Sequence, residues 1–235
     1  MTASFGQDGL AVVIGASGGI GRAIADRLET EGRFARVVRL SRSGDPALDL
    51  TREQTIVDAA ANIVATGLHL RLVFNAAGVL HEGDLTPEKS WRDIDPVHLQ
   101  QSFAVNATGP MLLMKHLLPL LPADGKAVFA TLSAKVGSIR DNELGGWYAY
   151  RASKAALNQF VRTAAIELKR RRLQAICVAL HPGTVDTGLS SPFSKSGLDV
   201  QTPQTAAQAL LATIEALTPE QSGGFFDRFG APLPW

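Results

Sequence analysis

Cysteine is nearly missing from this chain. Cys177 stands alone among 235 residues, so no intrachain disulfide can form. Its setting in the apolar run 175–180 suits a small buried hydrophobe. Long hydrophobic runs are missing too: none approaches the roughly 18 residues that a membrane-spanning helix needs. The N-terminus shows no basic segment followed by an apolar stretch, so no signal peptide is expected. A cytoplasmic location is the default expectation from these absences. An excess of one charge sign is also lacking. The net charge of +1 at pH 7 leaves no electrostatic case for a nucleic-acid partner or a membrane surface. The longest basic run, Lys169-Arg170-Arg171-Arg172, closes a predicted helix, where cations suit the negative end of the dipole. The five histidines, at 69, 81, 98, 116 and 181, are scattered without ligand-like partners at i+3 or i+4, so no metal site is expected.

What is present is core-forming material. Hydrophobic residues make up 46% and charged residues 19% of the chain, which suits a globular α/β protein with a sizeable core. No repeat, low-complexity tract or linker divides residues 1–235, so one domain is expected. Residues 10–14 are a short apolar run of the kind a doubly covered parallel strand shows. Gly15-Ala16-Ser17-Gly18-Gly19-Ile20-Gly21 follows, then an amphipathic helix to about Glu29. Strand, glycine turn and helix together form the start of a nucleotide-binding βαβ unit. Backbone must approach a pyrophosphate closely there, with helix N–H groups aimed at it. A tight βα turn without ligand is the plainer alternative.

A second strand over 36–40 ends in Ser41-Arg42-Ser43-Gly44. Residues 39–44 hold no carboxylate but two arginines and two serines, which suits a 2′-phosphate better than a free 2′-hydroxyl. Otherwise Arg39 and Arg42 are solvated strand-end charges. Residues 47–50 read as a weak strand, and a helix over about 52–66 as N-capped by Thr51. A strand over 71–74 runs into Asn75-Ala76-Ala77-Gly78, whose small side chains again permit close approach of a ligand. Pro96 opens a long helix that contains Asn106 and reaches Leu118. Asn106 needs partners there, structural or catalytic. Residues 127–132 form another buried strand with Ser133 at its C-terminal end, where open parallel sheets bind ligands. A lone Ser there is more often a turn residue or helix cap.

Tyr150 and Lys154 sit four apart and so share a helix face. A cation beside a phenol lowers its pKa and makes it a better general acid–base group, although Tyr-x-x-x-Lys by itself arises often by chance. The same helix buries Leu157, Val161, Ala164 and Leu168. A strand containing Cys177 comes next, then His181-Pro182-Gly183-Thr184-Val185-Asp186-Thr187. Residues 188–200 read as a flap. Leu189 and Phe193 in it, with Trp147, line an apolar pocket or simply pack. Thr202-Pro203 opens a last helix to about Leu217, and 224–226 form a final strand.

Over nearly its whole length the sequence resembles the short-chain dehydrogenase/reductases. Gly15-x-x-x-Gly19-Ile20-Gly21 matches the family's cofactor turn. Asn75-Ala76-Ala77-Gly78 matches its Asn-Asn-Ala-Gly stretch, with Ala76 replacing the second Asn. Asn106, Ser133, Tyr150 and Lys154 fall at the four catalytic positions in order. Pro182-Gly183 and Thr187 match the stretch that holds the nicotinamide end. Gly145-Gly146-Trp147, Val185-Asp186-Thr187 and Pro232-Leu233-Pro234-Trp235 resemble the C-factor and Sniffer-like carbonyl reductase branch. Ile14 stands where many members have Thr.

The resemblance implies a Rossmann-like doubly wound parallel sheet and hydride transfer between nicotinamide and a carbonyl or alcohol carbon of a small or medium apolar substrate. It implies cofactor contacts from Gly15, Ser17, Gly18, Gly19, Ile20, Gly21, Ser41, Arg42, Asp49, Leu50, Asn75, Ala76, Ala77, Gly78, Pro182, Gly183, Val185 and Thr187, with Tyr150 and Lys154. Tyr150 is expected to donate the proton, Ser133 to polarise the carbonyl, Lys154 to assist Tyr150 and bind the ribose, and Asn106 to hold a water. NADP(H) is expected over NAD(H), moderately so because Gly18 lies where many NADP-preferring relatives carry a second basic residue. A homodimer or homotetramer through the two long helices is implied. The alternative is a dinucleotide-binding, C-factor-like signalling protein with little turnover.

Overall fold

Alternation of apolar side chains sets the layers. The computed structural model describes Phe5, residues 8–190, Gly197 and residues 199–235. Strand β1 (Gly9–Ile14) is buried throughout. Successive side chains of a strand face opposite ways, so Leu10, Val12 and Ile14 enter one core while Ala11 and Val13 enter the other. The chain continues through α1 (Gly19–Glu31), β2 (Arg36–Leu40), α2 (Glu53–Ala65), β3 (His69–Asn75), α3 (Pro96–Phe103), α4 (Gly109–Leu117), β4 (Ala127–Leu132) and α5 (Tyr148–Lys169). It ends with β5 (Ala175–His181), the short β6 (Thr184–Val185) and β7 (Val200–Gln201), α6 (Pro203–Ala216) and β8 (Phe225–Asp227).

Six strands pair in the order β2-β1-β3-β4-β5-β8, all parallel. One face is packed by Ile24, Leu28, Leu210 and Ile214 of α1 and α6. The other is packed by Ile56, Leu113, Leu157 and Val161 of α2, α4 and α5. Strands buried on both faces are what a purely parallel sheet requires. Strand order reverses between β1 and β3, the switch point at whose C-terminal ends open parallel sheets bind ligands in a crevice. Among the described residues no helix is long and apolar enough to cross a membrane.

Three local expectations are corrected. Residues 47–50 form no strand. The Leu48 amide bonds back to the Ser41 carbonyl at 2.9 Å and Asp49 accepts from the Thr51 amide and hydroxyl. These turn bonds leave no ladder to build, while buried Leu48 and Leu50 anchor the loop in the core. Thr51 does not cap α2, because its hydroxyl is donated to Asp49 and Arg52 holds the cap position. The helix from Pro96 is broken: α3 ends at Phe103, a π turn spans Ala104–Thr108, and α4 begins at Gly109. Pro110 has no N–H to give the Asn106 carbonyl four residues back, and widening the turn relieves that defect. A side chain at 109 would meet the Leu50 Cβ at 2.6 Å.

Asp95 caps α3 through the Val97 amide at 2.7 Å, and Thr202 caps α6 through the Thr205 amide. After β8 the chain folds back along it. The Asp227 amide donates to the Ala231 carbonyl and the Leu233 amide to the Phe225 carbonyl. Trp235 stacks on Phe225 with centroids 5.7 Å apart. Most of the expected flap, residues 191–196 and 198, lies outside the described residues, Phe193 included.

Candidate active site

The crevice takes its shape from two backbone turns pressed together. Gly15 leaves β1 at φ +76°, and a Cβ there would lie 2.7 Å from the Ala77 amide nitrogen. At Gly21 a Cβ would lie 2.2 Å from the Gly15 carbonyl oxygen. Only glycine permits either approach. Helix α1 starts at Gly19 with no side-chain cap, which leaves its first amides for an anion.

A cavity of about 640 Å³ opens over this turn. It brings together Gly15, Ser17, Gly18, Gly19, Ile20 and Gly21 with Ser41, Arg42, Asp49, Leu50, Ala76, Ala77, Gly78, Ser133, Tyr150, Lys154, Pro182 and Thr187. Asn75, Asn106, Gly183 and Val185 do not line it. Asn75 is fully buried and ties β3 to β4, its amide donating to Thr131 Oγ1 at 3.0 Å. Gly183 at φ +78° is crowded by Arg228 and Gln201, and Val185 is buried in β6. Glycine turn, uncapped helix and two cations fit a dinucleotide: α1 for its pyrophosphate, Arg42 for the adenosine end, Lys154 for the other.

Of the two arginines near the end of β2, one reaches the cavity. Arg39 turns back onto α1, donating to Glu29 and Asp26. Arg42 lines the cavity and pairs with Glu82 at 2.5 Å. Glu82 in turn accepts from Gln101 at 3.3 Å.

The catalytic candidates converge below. Lys154 is buried and its Nζ donates to the Leu132 carbonyl at 3.0 Å. The same Nζ lies 5.7 Å from the centre of the Tyr150 ring. Asn106 sits in the π turn and grips the Val79 backbone, accepting from its amide and donating to its carbonyl, both at 2.8 Å. Its Nδ2 also reaches Ser153 Oγ at 3.3 Å. Gly78 is squeezed between Asn106 and Lys154. Ser133 Oγ donates to Asn158 Oδ1 at 2.7 Å.

The phenol is not shifted as its neighbour alone suggests. Burial pushes Tyr150 up to about 12 and Lys154 down to about 8. Loss of solvent outweighs the attraction between the pair, since both shifts have desolvation as their cause. At neutral pH the phenol therefore keeps its proton and most of the lysine its charge, the ionisation that a proton donor needs.

Three further side chains support the site, and sequence reasoning missed two of them, Glu88 and Asn158. Glu88, buried before α5, accepts from the Ala149 amide with both carboxylate oxygens, an anion at a helix N-terminus. Trp147 precedes that helix at φ +53°, an uncommon conformation for a non-glycine residue. Its ring stands edge-on to Tyr150 with centroids 6.2 Å apart. Asn158 is the third, and its position eight residues after Tyr150, on the Tyr150–Lys154 stripe, is the signal that could have found it. Leu189 lines the cavity; Trp147 does not. Among the described residues no group of three or more His, Cys, Asp or Glu could hold a metal ion.

Comparison with known proteins accords with this geometry. The family model for short chain dehydrogenase matches residues 9–197. The chain is similar to 1-hydroxy-2-glutathionyl-2-methyl-3-butene dehydrogenase of Rhodococcus sp. (strain AD45), 31% identical over 95% of this chain and 98% of that protein. It is similar to C-signal of Myxococcus xanthus, 36% identical over 61% of this chain and 82% of that protein. Among solved structures, an NADPH-bound carbonyl reductase from chicken fatty liver shares the fold with TM-score 0.84 at 23% identity, covering 100% of this chain and 96% of that one. The carbonyl reductase Sniffer of D. melanogaster superposes with TM-score 0.78 at 25% identity, covering 97% and 99%. The chain belongs to the short-chain dehydrogenase/reductase family of NAD(P)-dependent oxidoreductases.

Proposed function

We propose that the protein is an NADP(H)-dependent carbonyl reductase acting on small or medium apolar aldehydes or ketones. The observation that carries this reading is one cavity in which Ser133, Tyr150 and Lys154 lie below the glycine turn and Arg42 at its far end. When bound, the nicotinamide dinucleotide supplies the hydride. Tyr150 holds a proton at its phenol oxygen and gives it to the substrate oxygen as charge builds there. Ser133 donates a hydrogen bond to the same oxygen, a fixed dipole aimed where the charge develops. Lys154, pinned by the Leu132 carbonyl, keeps a positive charge under the phenol and presents its remaining protons to the ribose hydroxyls. Asn106 braces the segment leaving β3 beside Lys154, where a water between Lys154 and solvent is expected. Leu189 offers the reacting carbonyl an apolar wall.

Arg42 and the absence of a carboxylate at Ser41 support NADP(H) over NAD(H). The Glu82 partner of Arg42 keeps the preference modest. The NADPH-bound chicken reductase of the same fold agrees with it. The relationship to C-signal gives the signalling reading its interest, yet a proton donor, a hydroxyl and a cation converging on one cavity favour turnover. A groove lined by Met111 and Met114 of α4, Leu118 just past its end, and Phe160, Ala164 and Leu168 of α5 supports a two-fold dimer or tetramer through these helices.

The test is oxidation of NADPH with a panel of carbonyls by the wild type and Tyr150→Phe. The variant should lose roughly 10²–10⁴-fold in kcat, the range for removing a general acid, with NADPH affinity little changed. NADPH binding without turnover of any carbonyl would support the signalling reading instead.

A further inference from the structure

Asn158 is buried, 3% exposed, and lies on α5 in register with Tyr150 and Lys154 at i, i+4 and i+8. Its Oδ1 takes the Ser133 hydroxyl proton at 2.7 Å. Its Nδ2 is buried and has no hydrogen-bond partner among the described residues. Buried donors are rarely left unpaired, and this one sits on the group that holds the hydroxyl assigned to the substrate. A serine whose proton is given to Asn158 can only accept from the cavity side. The developing oxyanion needs a donor.

The two arrangements are linked by one motion. The ends of a carboxamide are close in size, so turning the Asn158 amide over exchanges Oδ1 and Nδ2 without repacking the core. Nδ2 then donates to Ser133 Oγ, and the hydroxyl proton is free to point into the cavity. The unpaired group becomes a carbonyl oxygen, which buried sites tolerate better than an unpaired N–H. The geometry points to Asn158 as a positioning residue that sets the hydrogen-bond direction of Ser133, donating to it in the reactive state. This rests on the carbonyl reductase reading, in which Ser133 donates to the substrate oxygen. Asn158 itself touches neither substrate nor cofactor in this role.

The experiment is a double-mutant cycle on Ser133→Ala and Asn158→Leu, read as kcat, KM and NADPH dissociation constant with the best carbonyl from the panel. Asn158→Leu is expected to lower kcat roughly tenfold, less than the hundredfold or more for losing such a donor outright, with NADPH affinity unchanged within about twofold. In the Ser133→Ala background it should cost nothing further, because its route to the substrate is gone. Losses that multiply overturn the inference and leave the carbonyl reductase reading standing. A Ser133→Ala enzyme with full activity overturns the role of Ser133 in that reading, and the inference with it.

Asn158→Asp keeps the side-chain size should the leucine variant not fold. As a neutral acid it donates to Ser133; as a carboxylate it can only accept and pins the proton away. Its kcat should fall with rising pH in a titration absent from the wild type and from the Ser133→Ala, Asn158→Asp double variant. A wild-type pH profile from about pH 5 to about pH 9 counts against the proposal.

Discussion

His181 closes β5 with its Nδ1 buried and unpartnered among the described residues. Burial, then repulsion from Arg228 and Lys135, pushes its pKa down to about 4, against a smaller pull from Asp227. The unfolded imidazole titrates near 6.5. Between these values the unfolded chain binds a proton that the fold refuses, so stability is complete above about pH 6.5 and is lost as pH falls toward about 4, by about 3 kcal/mol. Urea midpoints at about pH 7 and about pH 4.5 should show that loss in the wild type and a smaller one in His181→Gln. Equal acid sensitivity in both would remove His181 from the account. Cys177 is the quieter case, its thiol pushed up to about 12 by burial and so unreactive, in keeping with its apolar run. At this scale much of the site was legible through the family resemblance, which named Ser133, Tyr150 and Lys154, and all three line the cavity; residue type and spacing alone left each of them open. Asn158 offers only its place on the Tyr150–Lys154 stripe, which does not tell that it faces Ser133 from the next layer, and nothing beside Glu88 along the chain tells that it accepts from the Ala149 amide 61 residues on.

In the segments that follow β2 and β3, two charged side chains that line the cavity pair with each other. Arg42 is held by Glu82, which lowers the carboxylate pKa and raises that of the guanidinium. A 2′-phosphate must compete with that carboxylate. Arg42→Ala should therefore cut kcat/KM with NADPH roughly tenfold or more relative to NADH, the scale of a charge-assisted hydrogen bond. Glu82→Gln should shift the ratio the other way by a smaller factor. Steady-state kinetics with both cofactors decide it: an NADH preference in the wild type contradicts the Arg42 assignment, and an unchanged ratio in Glu82→Gln contradicts the competition. Strands and helices were readable where period and flanking residues agree, as in β1, α1, β4 and α6. They failed where a later residue governs an earlier one. Pro110 breaks the helical bond to Asn106, and the turn at Ser41–Leu48 uses up the hydrogen bonds that a strand over 47–50 needs. The expected capping of α2 by Thr51 failed for a related reason, since its hydroxyl is given to Asp49 and the cap position falls on Arg52.

On the scale of the whole molecule, a groove with an apolar floor runs along α4 and α5, where Met111, Leu118 and Phe160 are only partly buried. Light scattering or ultracentrifugation at micromolar concentration should give twice or four times 25.0 kDa, and Phe160→Glu should shift the population toward the single chain. A wild type present only at 25.0 kDa would refute assembly through this face. Growth by the sheet itself is closed off. At one margin β2 carries the exposed Arg36 and Arg39, charges that resist a newcomer strand. At the other, the return of residues 231–235 occupies β8, where Phe226 bridges Pro232 and Leu233 bonds Phe225. Deleting residues 231–235 should thus do more than remove a few contacts: it strips the selvedge from a hydrophobic parallel sheet, and turbidity on mild warming should appear in the truncated protein well before it loses its helical circular dichroism.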